Sequence, residues 1–192
     1  NSKYIRFALG FHPELVHQFK KQIPLMWELL PEARYVGEVG LDFVDETYKA
    51  EQTAFFSELI ERCRYNDNKI LTIHSRQAVR EVLDIIGDDF KFKPILHWFT
   101  GNTSELQEAV DFAHKLGKKI YVTVNIFPHN SDIAKLPAYL TFLNEIKVDA
   151  ILVADLGVFT MAKEYAPDVE LHISTQANNT NWAAVNAWAE LG

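Results

Sequence analysis

The sequence predicts an α/β protein, a TIM-type (β/α) barrel or partial barrel of about seven parallel strands alternating with helices, its first unit missing. Three observations predict it. Seven short segments rich in β-branched and aliphatic residues alternate with segments whose apolar residues recur at helical spacing. The apolar segments end on polar residues, as buried parallel strands do where they reach a rim. The chain has 192 residues, short of the roughly 250 typical of a complete barrel. An open doubly wound sheet is the alternative, and strand ends would carry the site in either case.

Residues 6–12 read as the first strand, closed by Pro13, where a helix can begin. Val16, Phe19 and Ile23 are apolar at helical spacing, Pro24 interrupts, and residues 25–30 resume as helix. The second strand is Tyr35-Val-Gly-Glu-Val-Gly-Leu-Asp-Phe43. Asp45 or Glu46 starts a long helix to Tyr65, with Phe55, Phe56, Leu59, Ile60 and Cys63 on one face. After the turn at Asn66-Asp-Asn68 comes the strand Ile70-Leu-Thr-Ile-His74.

A helix around Val79, Val82, Leu83 and Ile86 stops at Gly87 and leads into Pro94-Ile-Leu-His97. Asn102 or Thr103 caps a helix that Gly117 ends. Residues 119–125 are β-rich, 136–146 helical, 150–155 a strand and 159–165 a helix. A strand over 169–174 and a final helix over 180–191 complete the rhythm. The whole is expected to form a single barrel-like domain, 1–192.

Composition narrows the function. Hydrophobic residues make up 48% and charged ones 23%, ordinary for a globular core. No apolar run is long enough for a membrane span and no signal peptide opens the chain, so no membrane partner and a cytoplasmic setting are expected. The chain begins without methionine and close to a strand, as a trimmed or processed chain would. A single cysteine, Cys63, excludes internal disulfides and multi-cysteine iron–sulfur clusters. The net charge of −7 argues against a salt-driven grip on a nucleic-acid duplex, although bound divalent cations would reverse the local sign.

The chemistry concentrates at three strand exits: Glu38 between two glycines, His74 and His97. Burying an unpaired carboxylate is costly, so an acid at the end of an apolar strand needs a partner. Each interval between the three holds one helix and the following strand, which brings all three to one rim. Carboxylate and imidazole suit zinc, manganese or magnesium, and such a cation can activate water. The competing assignment is a pair of hydrogen-bonded core histidines with Glu38 beside a base.

His12, before Pro13, is a candidate fourth contact or substrate phosphate donor. Arg76 is a candidate clamp for a phosphate or carboxylate, or else pairs with an acid such as Glu81. Trp98 and Phe99 are candidates for stacking on a base or for packing. Among the later exits, Asn125, Asp155, Ser174, Thr175 and Gln176, Asp155 is a candidate additional metal ligand or the cap of the helix after it.

Phe11-His-Pro13, Gly37-Glu-Val-Gly-Leu-Asp42, Ile73-His-Ser-Arg76 and His97-Trp-Phe-Thr-Gly101 resemble, in order and spacing, the motifs of TatD-family metal-dependent deoxyribonucleases. The resemblance covers residues 5–113. It implies phosphodiester hydrolysis by metal-activated water, with Glu38, His74 and His97 catalytic and metal-binding. It also implies a divalent ion (Mg, Mn or Zn) and a phosphodiester substrate such as a single-stranded DNA end. The family's first-strand His-x-His pair and late Thr/Ser-Asp motif have no counterpart here.

Residues 114–192 are similar instead to the U32 family of collagenase-like peptidases, through Gly117-Lys-Lys-Ile-Tyr-Val-Thr-Val-Asn-Ile-Phe-Pro-His-Asn130, Asp149-Ala-Ile-Leu-Val-Ala-Asp-Leu-Gly-Val-Phe159 and Leu171-His-Ile-Ser-Thr-Gln-Ala-Asn178. Several members of that family are associated with RNA or quinone hydroxylation. The two resemblances together imply a chimera, engineered or recombined. The expected function is a TatD-like hydrolase impaired by missing ligands, or a catalytically silent chimeric barrel. Open barrel edges would invite homo-oligomers.

Overall fold

The structure, a computed structural model, describes residues 7–97 and 99–192. Trp98, a candidate stacking residue, lies outside the described residues, as does Arg6 of the first expected strand. The chain divides into two compact units, Asn1–Leu106 and Gln107–Gly192, each with its own parallel sheet. Among the described residues the α/β class holds, with seven strands in parallel sheets, and the strands do not join into the one sheet of a TIM-type barrel. The strands pair as a sheet of four and a sheet of three.

The first sheet has the order β1 (Ala8–Leu9), β2 (Tyr35–Asp42), β3 (Ile70–Arg76), β4 (Lys93–His97). Val36, Val39 and Leu41 of β2 share one face with Leu71 and Ile73 of β3, and all five are buried. Helix α2 (Lys49–Cys63) packs on β2 and buries Phe55, Phe56, Leu59, Ile60 and Cys63, the face its periodicity predicts. Full burial of each such large side chain contributes about 1.5–3 kcal/mol. Helix α3 (Val79–Ile86) buries Val79, Val82 and Ile86 and stops at Gly87, whose φ of 66° suits a residue without a Cβ.

The entry to this unit departs from expectation. β1 is a two-residue strand, and the spacing of Val16, Phe19 and Ile23 resolves into 3-10 turns at Pro13–Leu15 and Lys20–Gln22. Pro24 does not interrupt a helix. It lies in the first turn of α1 (Ile23–Leu29), where its missing N–H costs nothing. Buried Lys69 donates from Nζ to the carbonyls of Leu30 (2.6 Å) and Ala33 (2.7 Å), tying down the end of α1.

Helix α4 (Thr103–Lys115) starts with reciprocal bonds: Glu105 N–H donates to Asn102 Oδ1 and Asn102 N–H to Glu105 Oε2. The second sheet has the order β5 (Tyr121–Val124), β6 (Ala150–Val153), β7 (Glu170–Ile173). Its core joins Ile151 and Val153 of β6 to Leu140 and Leu143 of α6 (Leu136–Glu145) and Val158 and Ala162 of α7 (Leu156–Tyr165). A four-residue helix, α5 (Asn130–Ile133), was not expected. A His129/Asp132 capping box forms it in a stretch with too little apolar periodicity to signal it. α8 (Trp182–Leu191) ends the chain. Among the described residues no helix is long and apolar enough to cross a membrane.

Candidate metal centre

The site begins with an irregularity in β2. Val36 pairs with Leu71 and Val39 with Ile73, so β2 takes three steps where β3 takes two. One residue is therefore extra, a β-bulge at Gly37-Glu38, and such a bulge re-aims a side chain. It lets Val36 and Val39 both face the core while Glu38 turns to the histidines. Gly40, at φ 129°, pairs with His74 so closely that a Cβ there would collide with the His74 carbonyl oxygen. Glycine is required at that position for the strands to approach.

His74 and His97 are register partners on β3 and β4 and so share a face of the sheet. Glu38 Oε1 lies 2.9 Å from His74 Nδ1, 3.2 Å from His97 Nδ1 and 3.9 Å from His12 Nε2. His12 enters from the 3-10 turn after β1, its ring edge-on to His74 with centroids 4.8 Å apart. The structure thus brings together Glu38, His74, His97 and His12. One potential ligand atom each from His12, Glu38 and His74 lies within 4.8 Å of the other two, and His97 is not part of that group.

A second layer escaped the sequence reading. Asp42 ends β2 with its side chain 1% exposed, and its Oδ2 lies 2.8 Å from His74 Nε2. Arg76 donates from Nε to the same oxygen at 2.8 Å and from Nη2 to Glu14 Oε1 at 2.8 Å. Val44 N–H donates to Asp42 Oδ1 at 3.1 Å, and Asp42 N–H to buried Gln52 at 2.8 Å. Arg76, the candidate substrate clamp, therefore holds two carboxylates of its own chain. Asp42 ends the Gly37-Glu-Val-Gly-Leu-Asp42 stretch, but only the tertiary pairing of β2 with β3 shows which nitrogen it meets.

Both carboxylates stay below the usual carboxyl range. For Glu38, burial pushes upward, and hydrogen bonds to His97 and His74 with the nearby imidazole charge outweigh it. For Asp42, burial is again opposed, by the Val44 N–H, Arg76 and His74. The site is a compact set of charges held by paired hydrogen bonds.

The exits of the second sheet carry different chemistry. Asn125 Nδ2 donates to Ser174 Oγ at 3.1 Å, and Thr175 and Gln176 lie in a 3-10 turn, Thr175–Ala177. Asp155 belongs to this unit, where its Oδ1 accepts from Val158 N–H at 3.0 Å and caps α7.

A model of peptidase family U32 matches residues 97–192. The chain is 41% identical over 91 residues to tRNA hydroxylation protein P of Haemophilus influenzae, covering 47% of this chain and 20% of that protein. It is 47% identical over 88 residues to tRNA hydroxylation protein P1 of Bacillus subtilis, covering 46% and 21%. It is also 34% identical over 82 residues to the 23S rRNA 5-hydroxycytidine C2501 synthase of Escherichia coli, covering 43% and 12%. The chain spans about a fifth of the length of the tRNA hydroxylation proteins it matches.

These relatives overturn the expectation of a TatD-like, metal-dependent deoxyribonuclease, and with it the single-stranded DNA end as partner. The physical reason is that acids and histidines at parallel-strand exits mark a rim where many reactions are built, and do not select one of them. A chimeric origin has no support either. The U32 match begins at His97, inside the stretch that resembled the other family.

Proposed function

The chain belongs to peptidase family U32, and on that premise we propose that it serves RNA hydroxylation as a module engaging a tRNA or rRNA strand. The observation that carries this reading is the 41% and 47% identity to tRNA hydroxylation proteins. A chain of net charge −7 does not hold RNA through a broad basic face. Recognition therefore falls to bases and to local charge. Phe127, 69% exposed on the segment leaving β5, offers a ring of the kind on which single-stranded bases stack.

The reading includes a divalent cation, zinc, manganese or magnesium, held by Glu38, His74 and His97 with His12 as a fourth donor. The mutual spacing of His12, Glu38 and His74, whose potential ligand atoms lie within 4.8 Å of one another, supports it, and His97 approaches Glu38 to 3.2 Å. A cation there supplies local positive charge for a phosphate oxygen in an otherwise acidic chain. Asp155 is assigned to the α7 cap rather than to the ion.

Filter binding of tRNA to the 192-residue chain, with and without manganese, tests the reading. Saturable retention of tRNA that DNA of equal length does not compete away is expected. Equal retention of both, or none of tRNA, removes the RNA assignment.

A further inference from the structure

We propose that Asp42 is a positioning residue that fixes which nitrogen of His74 faces the cation, with Arg76 bracing it against Glu14. The inference rests on the metal reading above and names the part of the chain that orients the site.

His74 has two ring nitrogens and both are accounted for. Nε2 lies 2.8 Å from Asp42 Oδ2 and Nδ1 lies 2.9 Å from Glu38 Oε1. A metal-ligating histidine commonly donates its other N–H to a carboxylate, which fixes ring orientation and tautomer. Here the assignment follows from burial. Asp42 is 1% exposed at its side chain, whereas Glu38 is 27% exposed, on the side that His12 and His97 share. The nitrogen facing Asp42 is closed off by protein, and the nitrogen facing Glu38 opens on the other donors. His74 therefore ligates through Nδ1 and donates its Nε2 proton to Asp42.

Asp42 is itself held at both oxygens and at its backbone N–H, by Val44, Arg76 and Gln52. Of these, Val44 N–H and Arg76 bond the carboxylate itself, one at each oxygen, and so fix the oxygen that faces His74. The brace also reaches the fourth donor. Glu14, which receives Arg76 Nη2, lies in the 3-10 turn whose cap is His12. One guanidinium thus joins the strand that presents His74 to the turn that presents His12.

Zinc affinity by isothermal titration, with the imidazole 15N resonances of the zinc-bound protein, tests this. Asp42→Asn is expected to weaken zinc about 10–100-fold. It should also shift the His74 Nε2 resonance, a change that a purely space-filling role would not cause. Arg76→Gln, at a 40% exposed side chain, is expected to weaken zinc by a smaller factor and serves if Asp42→Asn does not fold. Unchanged affinity and resonances in Asp42→Asn overturn the inference alone. If that variant is unfolded, wild-type affinity in Arg76→Gln overturns it. Absence of zinc binding in the unmodified protein overturns the metal reading and this inference together.

Discussion

The two sheets are built on one plan and end in different chemistry. Both are all-parallel, both pack helices on an aliphatic face, and both put polar residues where the strands stop. In the first, the polar groups are ionisable and bonded to one another: Glu38, which lies at the bulge inside β2 and not at its exit, with His74 and His97, His74 with Asp42, Asp42 with Arg76. In the second, Asn125 bonds Ser174 and the one acid, Asp155, serves a helix. Topology decides where polar groups are gathered. Side-chain identity at a few positions then decides whether the gathering is a set of ionisable groups or a neutral hydrogen-bond pair.

The largest effect should come from breaking one core and watching the other. Phe56 is fully buried beneath the first sheet, and Phe56→Ala is expected to cost roughly 3–5 kcal/mol. Leu140→Ala, in the second core, should cost roughly 2–5 kcal/mol. Urea unfolding with amide exchange distinguishes them: the first should strip protection from β2 and β3, the second from β6. Equal loss throughout after either change would contradict the division into two compact units.

The next effect separates the two sets of exits. Glu38→Gln removes the group that all three histidines face, and zinc affinity is expected to fall by more than about 100-fold, beyond what losing a supporting residue costs. Asn125→Ala should leave zinc affinity unchanged. Comparable losses in both variants would sink the assignment of the ion to the first sheet.

Acid distinguishes the units more gently. Asp42 and Glu38 have carboxyls depressed in the folded state, so their stabilisation is present above the ordinary carboxyl range and lost as pH falls through the folded values. Asp149 in the second unit has the same sign. Burial raises it, and the Ile120 N–H (2.8 Å), His114 (3.1 Å) and Lys119 charge outweigh that. Its side chain is 24% exposed against 1% for Asp42, so solvent screens it more. With chelator present, stability should fall below about pH 4. Asp42→Asn should flatten that fall more than Asp149→Asn does, and the reverse order would break the comparison.

Much of this was legible in the sequence, and the remainder has physical causes. Strand positions and the helix face of Phe56, Leu59 and Cys63 follow from local periodicity, which needs no tertiary information. Convergence of His74 and His97 followed from their matching places on successive strands, whereas Glu38 lies inside β2, where Gly40 is the register partner of His74. The bulge at Gly37-Glu38 did not, because a single sequence does not state register. Nor did the Asp42–His74 contact, between residues 32 positions apart. The U32 resemblance was legible over residues 114–192, and the family model bears it out, whereas the first-sheet motifs pointed to another family. Short motifs at a rim specify donors, whereas the relatives match over 82 to 91 residues and name RNA.

The smallest expected effect bears on the one acid that sequence reasoning left between two roles. Asp155 follows β6, in the same kind of place that Asp42 holds at the end of β2, so position alone does not separate a ligand from a cap. The bond to Val158 N–H does, because an N-cap carboxylate satisfies one of the orphan donors of the first turn of α7. Asp155→Ala should therefore cost about 1 kcal/mol of stability in urea. Asp155→Ser, which keeps a side-chain acceptor, should recover most of it. Zinc titration of Asp155→Ala is the sharper measurement: a capping residue leaves the affinity where it was, and a tenfold loss would return Asp155 to the ion.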